Sequence, residues 1–148
     1  MTDKKEKWFR AYVEMNSQAQ KHLAENPPEQ TDGLFHCPCC GFPTLDERAA
    51  YDICLICWWE DDGQDGHNAS LSTGGPNHGN SLSHARKNFS DHQHMYDLGK
   101  EIGYLKNPDK WRGDLMKIVR PALEGGVAFD VQAFKLWRNA KNESQEID

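Results

Sequence analysis

The sequence has no long hydrophobic run and little hydrophobic content overall. No stretch reaches the roughly 18 apolar residues of a membrane-spanning helix, and 37% of the 148 residues are hydrophobic, with a mean hydropathy of -0.85. The charged beginning, MTDKKEKWFR, is not followed by the apolar segment of a signal peptide. These absences exclude a spanning helix and predict a cytoplasmic protein. In such a polar chain, a metal crosslink would supplement thin apolar burial.

Positive charge is scarce in the first half of the chain. Residues 1–74 contain six Lys/Arg and thirteen Asp/Glu, whereas residues 75–148 contain eleven and ten. Because phosphate backbones are bound through Lys and Arg, this acidic half disfavours nucleic-acid binding. We expect a protein partner instead, with a basic surface that complements the charge.

The five cysteines are the strongest signal in the sequence. An odd number of cysteines without an export signal favours metal or redox roles over disulfides. Four of them follow the spacing C-x2-C-x13-C-x2-C: Cys37, Cys40, Cys54 and Cys57. Two tight turns, each aiming two sulfurs at one point, would complete the tetrahedron that zinc requires. We predict one structural zinc, while a redox pair or a four-thiolate iron site stays an alternative.

The first cysteine turn offers three cysteines for two ligand positions. A pair of Cys37 and Cys39 is conceivable, but Gly41 follows Cys40 and would allow the left-handed conformation that the turn needs. Pro38 fixes a second backbone angle there. Cys39 is then a free thiol, inert or redox-active, or an alternate ligand. The second turn lacks the proline and the glycine, and we expect it to be the weaker of the two.

Hydrophobic periodicity predicts helices on both sides of the cysteines. In residues 4–24 a stripe recurs at three- and four-residue steps, and Pro27-Pro28 ends the helix: Trp8, Tyr12, Met15, Ala19 and Leu23. Further helices are expected from Asn80 or Ser81 to about residue 103, from Asn107-Pro108 to Pro121, and after Asp130, with an acidic tail from Asn142.

The segment between these helices has a different pattern. Residues 34–60 contain short extended pieces separated by turns, which predicts antiparallel strands in a pair of hairpins, and residues 61–80 are typical of a long loop. The predicted fold class is α+β, a small four-cysteine zinc ribbon flanked by an N-terminal helix and C-terminal helices. We divide the chain into an N-terminal helix and linker (1–33), the ribbon (34–90) and a C-terminal helical region (91–148).

The ribbon also resembles a known family. The segment CPCCGFPTLDERAAYDICLICWWEDDGQDG, followed by GGPN and NSLSHARKNF, is similar to the bacterial cysteine-rich CPCC family over roughly residues 36–89. The resemblance implies a small zinc-ribbon-like domain in a bacterial cytoplasmic protein and marks all five cysteines as motif positions. It implies no activity.

Acidic residues and a tryptophan after the last cysteine suggest a surface for a partner. Alternation along a strand would bury one ring of the Trp58-Trp59 pair and expose the other as a binding anchor. The predicted partner surface consists of Trp59, Glu60, Asp61, Asp62 and Asp65. A calcium loop in this segment is disfavoured, because Gly63 and Ser72 occupy ligand positions.

The main functional hypothesis is a non-enzymatic zinc-binding interaction protein, with an immunity or antitoxin-like role as one form. The alternative is a metal-dependent hydrolase or nuclease, whose candidate residues are Asp61, Asp62, Asp65, His84 and His92. A nucleic-acid-binding zinc ribbon is the third hypothesis. We expect no catalytic residues in the main case, because four thiolates close the zinc shell.

Overall fold

The computed structural model describes residues 3–71 and 76–146. Over these residues the fold is α+β, as predicted, with a three-stranded antiparallel sheet and helices before and after it. The elements are α1 (Asp3–Glu25), β1 (Gln30–Thr31), β2 (Leu34–His36), β3 (Pro43–Leu45), α2 (Leu82–His92), α3 (Gly103–Lys106), α4 (Lys110–Leu123) and α5 (Val131–Glu146). They belong to two compact units, Met1–Met95 and Tyr96–Asp148. No helix in the described part of the chain is long and apolar enough to cross a membrane.

The predicted first helix is confirmed, and it packs through its C-terminal half. Ala19 and Leu23 are buried and form a small cluster with Ala49, whereas Met15, on the same stripe, is exposed. The side chains of Trp8 and Tyr12, also on that stripe, lie outside what the structure describes.

The sheet contains a strand, β1, in the segment predicted as a linker. β1 pairs with β2 through Thr31 opposite Leu34, so only Asp32 and Gly33 connect the two strands. Both connecting residues have positive φ, 50° and 83°, which is the geometry of a type I′ hairpin turn. The Asp-Gly pair is a strong signal for that turn, and the prediction overlooked it. β3 pairs with the other edge of β2. The β2–β3 pair, which the first cysteine turn connects, is the first of the two predicted hairpins.

The second predicted hairpin is reduced to a single antiparallel bridge between Ile53 and Glu60. Asn77 holds this region from the far end of the loop: its side chain accepts a hydrogen bond from the Glu60 amide (2.8 Å) and donates one to the Glu60 carbonyl (2.9 Å). The backbone bonds beside the bridge join the Cys54 amide to the Trp59 carbonyl and the Asp61 amide to the Asp52 carbonyl, so the Glu60 amide and carbonyl face away from Ile53. The Asn77 side chain therefore satisfies the outer edge of Glu60, where a further strand would have paired.

The predicted loop after the cysteines is more ordered than its composition indicates. Asp61 is fully buried and accepts hydrogen bonds from Arg48 Nε (2.8 Å), the Ala49 amide (2.7 Å) and the Gly63 amide (3.1 Å). Arg48 is itself buried and also lies 3.7 Å from a carboxylate oxygen of Asp65. This ion pair fixes the loop against the 46–50 turn.

Three helix boundaries differ from the prediction. α2 begins after the Ser81 cap, as expected, but ends at His92, because Gln93 adopts the left-handed conformation (φ 68°) that terminates helices. α4 is capped by Asp109, whose side chain accepts a hydrogen bond from the Arg112 amide, and not by Asn107. Pro121 lies inside α4, in its last turn.

The second unit is built around α4 and α5. Leu115 and Val119 of α4 and Phe134 of α5 are fully buried, and Trp137 donates a hydrogen bond from Nε1 to the Trp111 carbonyl (2.8 Å). Asp130 caps α5 as predicted, through the Ala133 amide. The segment from Asn142, predicted as a tail, continues α5 as far as Glu146.

Candidate metal centre

The structure brings together the four cysteines that the spacing selected. The Sγ atoms of Cys37, Cys40, Cys54 and Cys57 all lie within 4.8 Å of one another. Across the two turns, Cys37 Sγ lies 3.6 Å from Cys57 Sγ, and Cys40 Sγ lies 3.7 Å from Cys54 Sγ. A tetrahedron with metal–sulfur bonds of about 2.3 Å has edges of about 3.8 Å. The cluster is thus already close to the size that a single tetrahedral metal ion needs.

The two cysteine turns have the same backbone hydrogen bonds. In the first turn, the Gly41 amide donates to the Cys37 carbonyl (2.8 Å) and the Cys37 amide donates to the Phe42 carbonyl (2.9 Å). In the second, the Trp58 amide donates to the Cys54 carbonyl (2.8 Å) and the Cys54 amide to the Trp59 carbonyl (2.9 Å). The second turn therefore reproduces the first without its glycine.

This equivalence puts a bulky residue in an unfavourable backbone conformation. Gly41 has φ 82°, and Trp58, at the matching position, has φ 69°. Left-handed backbone is costly for a residue with a side chain. The expected weakness of the second turn thus takes the form of backbone strain at Trp58, which is retained because the turn must aim Cys54 and Cys57 at the cluster.

Two side chains from outside the turns support the cluster. The Thr44 hydroxyl of β3 donates a hydrogen bond to Cys54 Sγ at 3.0 Å. Arg86 of α2 donates from Nε to the Pro38 carbonyl at 2.8 Å, which fixes the first turn and places a guanidinium near the thiols. A four-thiolate site with a divalent ion carries a net negative charge, so both a donor and a cation beside it are stabilising. Neither residue was singled out from the sequence, because each contact depends on the tertiary fold.

The buried thiols have strongly altered acidities. Burial raises the pKa of Cys37, Cys40 and Cys57. Burial also acts to raise the pKa of Cys54, but hydrogen bonds from the other three thiols outweigh it and lower that pKa. Metal binding requires all four sulfurs as thiolates, and it therefore releases protons from this cluster. Affinity for the metal should consequently increase with pH.

Cys39 lies beside the cluster but outside the four-sulfur set. Its side chain is buried, which favours an inert thiol that packs as a small core residue. A hydrogen bond with Cys57 lowers the pKa of Cys39. Burial and the neighbouring Cys37 and Cys54 together raise that pKa by more, so its net shift is upward. A buried thiol of raised pKa is a poor nucleophile.

The predicted partner surface is wrong for three of its five residues. Trp59 and Asp61 are 0% exposed and Asp62 is 8% exposed, so they do not form the exposed surface that was predicted. Glu60 and Asp65 keep partial exposure. Alternation along the chain did bury one tryptophan of the pair, but the buried ring belongs to Trp59, which the prediction assigned to the surface.

The acidic and histidine residues proposed for a hydrolase do not form a metal site in the described residues. There, the four cysteines are the one group of three or more Cys, His, Asp or Glu side chains that could hold a metal ion. The Asp61 carboxylate is committed to Arg48 and two backbone amides. The His92 ring contacts the His94 ring instead, at a tilt of 59° and with ring centroids 4.4 Å apart. The structure thus provides no carboxylate–histidine centre for the hydrolase hypothesis within residues 3–71 and 76–146.

Comparison with known proteins agrees with the cysteine motif. No curated protein and no solved structure is significantly similar to the chain. A family profile described as "Cysteine-rich CPCC" matches residues 35–108, which is half of the chain and includes both cysteine turns, α2 and α3. The protein belongs to the cysteine-rich CPCC family.

Proposed function

We propose that this protein is a non-enzymatic interaction protein whose first unit is held together by one structural zinc ion. The observation that carries the zinc assignment is the arrangement of four buried or partly buried sulfurs at tetrahedral distances. Four-thiolate sites are typical of structural zinc and, less often, of iron. Four protein ligands leave no open position for a substrate or a reactive water, which favours a structural role.

Charge distribution supports an interaction with a basic protein. Residues 1–95 contain eight Lys/Arg and fourteen Asp/Glu, whereas residues 96–148 contain nine of each, so the first unit carries the whole net charge of -6. A zinc ion with four thiolates adds two further negative charges. Such a field steers basic partners and repels nucleic acid.

One exposed apolar residue gives this acidic unit a candidate contact point. Ile53 is 45% exposed and pairs with Glu60 across the single bridge that flanks the second cysteine turn. Asp52 precedes it and is partly exposed. An apolar side chain with acidic neighbours suits a partner that offers an apolar patch with a basic rim. We therefore place the contact surface at Asp52, Ile53 and Glu60, which replaces the buried residues of the earlier expectation. An immunity or antitoxin-like role would be one use of such a surface.

Native mass spectrometry of the freshly purified protein tests both parts of the proposal. We expect one zinc per chain and a co-purifying basic protein. Replacing Ile53 and Glu60 together with lysine should remove the partner but leave the zinc, and the control Leu98→Lys, at a 72% exposed site in the second unit, should retain both. Iron in place of zinc would refute the metal assignment. A partner that survives the Ile53 and Glu60 replacements would refute the surface.

A further inference from the structure

A cavity of about 300 Å³ lies between α1 and the loop after the second cysteine turn. Its walls are formed by residues from both segments: Met15, Gln18, Ala19, Asp62, Gly63, Gln64, His67, Asn68 and Leu71. Its volume is at the lower end of the range of about 300–1,000 Å³ for small-ligand pockets. It is separate from the four cysteines, and neither the family nor the metal centre accounts for it.

One residue in the wall of this cavity, Gln64, has a side-chain oxygen without a hydrogen bond in the described part of the chain. Gln64 is 2% exposed, and its amide nitrogen donates to the carbonyls of Asn68 and Leu71. Those two acceptors fix the orientation of the side-chain amide. Its Oε1 atom is buried and has no hydrogen-bond partner among the described residues. A buried acceptor without a donor is unfavourable, and a ligand with N–H groups would supply the donor.

The charge of the cavity wall indicates the sign of the ligand. Asp62 lines the cavity and is 8% exposed, while no Lys or Arg is among its lining residues in the described chain. One carboxylate oxygen of Asp62 accepts a hydrogen bond from the backbone amide of Gln64 at 3.1 Å, which holds the carboxylate in place. Bare divalent cations require several oxygen ligands, and the described residues offer no group of three acidic or histidine side chains here. An organic cation needs only one such carboxylate.

The wall also contains the polar residues Gln18, His67 and Asn68 and an apolar part. Its shape depends on the close approach of the loop to α1. Met15, Ala19 and Leu71 supply aliphatic surface. Gly63 lies so close to α1 that an added Cβ would collide with the Ala19 side chain. On the loop side, His67 stacks on His22 of α1 with ring centroids 3.8 Å apart. The loop therefore contacts α1 at Gly63 and His67, and these contacts leave the cavity between the two segments open.

We propose that this cavity binds an alkylammonium or guanidinium group, with the cation at Asp62 and Gln64 and its aliphatic chain against Met15, Ala19 and Leu71. The same chemistry is present in a free amine and in a Lys or Arg side chain of a protein partner. The inference does not rest on the proposed interaction function, because a free amine would fill the cavity without any partner.

Titration of the isotope-labelled, zinc-loaded full chain, followed by amide NMR shifts, tests this proposal. The probes are n-butylamine, as a free amine, and Nα-acetyl-lysine-N-methylamide, as a residue within a chain, with n-butanol as the neutral match. We expect saturable shifts at Gly63 and Gln64 with at least one amine, and n-butanol at least about tenfold weaker. Binding of n-butylamine alone identifies a free amine as the source, and binding of the blocked lysine identifies a peptide side chain. Absence of saturation with both amines, or equal binding of n-butanol, would overturn the proposal without affecting the contact surface at Ile53.

A pair of variants locates the charge. Asp62→Asn keeps an oxygen for the Gln64 amide but removes the negative charge, and it should weaken amine binding by about tenfold or more. The matched control, Asp91→Asn, changes an exposed carboxylate of α2 and should leave binding unchanged. Equal loss in both variants, or no loss in Asp62→Asn, would contradict the assignment. The comparison of n-butylamine with n-butanol in the unmodified protein decides the question if Asp62→Asn does not fold.

Discussion

Gly63 is the residue through which the acidic loop reaches α1. Its φ of +94° is unfavourable for any side chain, and an added Cβ would collide with Ala19. Gly79 has a similar φ of +77°, but an added Cβ there meets nothing within 4 Å. Gly79→Ala should therefore cost only backbone strain, about 1–2 kcal/mol, whereas Gly63→Ala should cost about 1–3 kcal/mol more through overpacking. Urea unfolding of the metal-loaded variants measures both, and equal losses would show that the loop can move away from α1.

Asp61 and Asp91 are two carboxylates in contrasting environments. Asp61 is fully buried against Arg48, whereas Asp91 pairs with Lys87 on the exposed side of α2. Loss of the buried charge leaves a buried guanidinium without its partner, so Asp61→Asn should lower the free energy of unfolding by about 3–5 kcal/mol. Asp91→Asn should change it by about 0.5 kcal/mol or less. The difference between the two denaturation midpoints checks this, and a small effect at Asp61 would mean that water reaches Arg48.

Among the secondary-structure elements, those that depend on local sequence pattern could be predicted from the sequence. Helix α1 followed from its periodicity, and the cysteine turns followed from the spacing of Cys37, Cys40, Cys54 and Cys57. β1 was predictable from Asp32-Gly33 but was overlooked. The end of α2 at Gln93 could not be predicted, because neither glycine nor proline stops the helix there. The burial of Asp61 also depends on a tertiary partner, Arg48, thirteen residues away, and composition alone suggested a solvated loop.

Tyr104 of α3 has an acidity that reports on Asp109, the cap of α4. The pKa of Tyr104 is raised from 10.0 to about 12. The largest cause is burial, and the smaller causes are a hydrogen bond to Asp109 and the charge of that carboxylate. The Arg112 amide and Tyr104 in turn lower the pKa of Asp109. A raised tyrosine pKa stabilises the folded state below pH 10, and this contribution is lost as the pH rises through about 12. The lowered pKa of Asp109 stabilises the folded state at pH values above 3.8, the ordinary pKa of the group. This contribution is lost as the pH falls below that value.

Ultraviolet titration of tyrosinate, taken as the difference between the unmodified protein and Tyr104→Phe, should therefore show one tyrosine that ionises near 12. Asp109→Asn removes the charge but not the burial, so it should move that ionisation to between 10 and 12. An unchanged titration curve in Asp109→Asn would show that burial alone sets the pKa of Tyr104.

For the whole molecule, the two units differ in what stabilises them. The first unit has strands of two or three residues, too short to be stable alone, and it carries the net negative charge. The second unit has no part in the cysteine cluster and buries Leu115, Val119 and Phe134 between its own helices. A structural zinc contributes about 10–16 kcal/mol, which is comparable with the total stability of a domain, about 5–15 kcal/mol. The first unit should therefore depend on the metal and the second should not.

Removal of the metal should accordingly unfold one unit selectively. After chelation, we expect the amide resonances of β1, β2 and β3 to collapse to random-coil positions, while those of α4 and α5 keep their dispersion. Cys40→Ser should have the same effect, because it removes one of four ligands. Cys39→Ser is the matched control one position away, and it should retain one metal ion per chain, because its sulfur lies outside the ligand set. Loss of metal in Cys39→Ser, or a folded first unit without metal, would show that the four sulfurs are not what holds the sheet together.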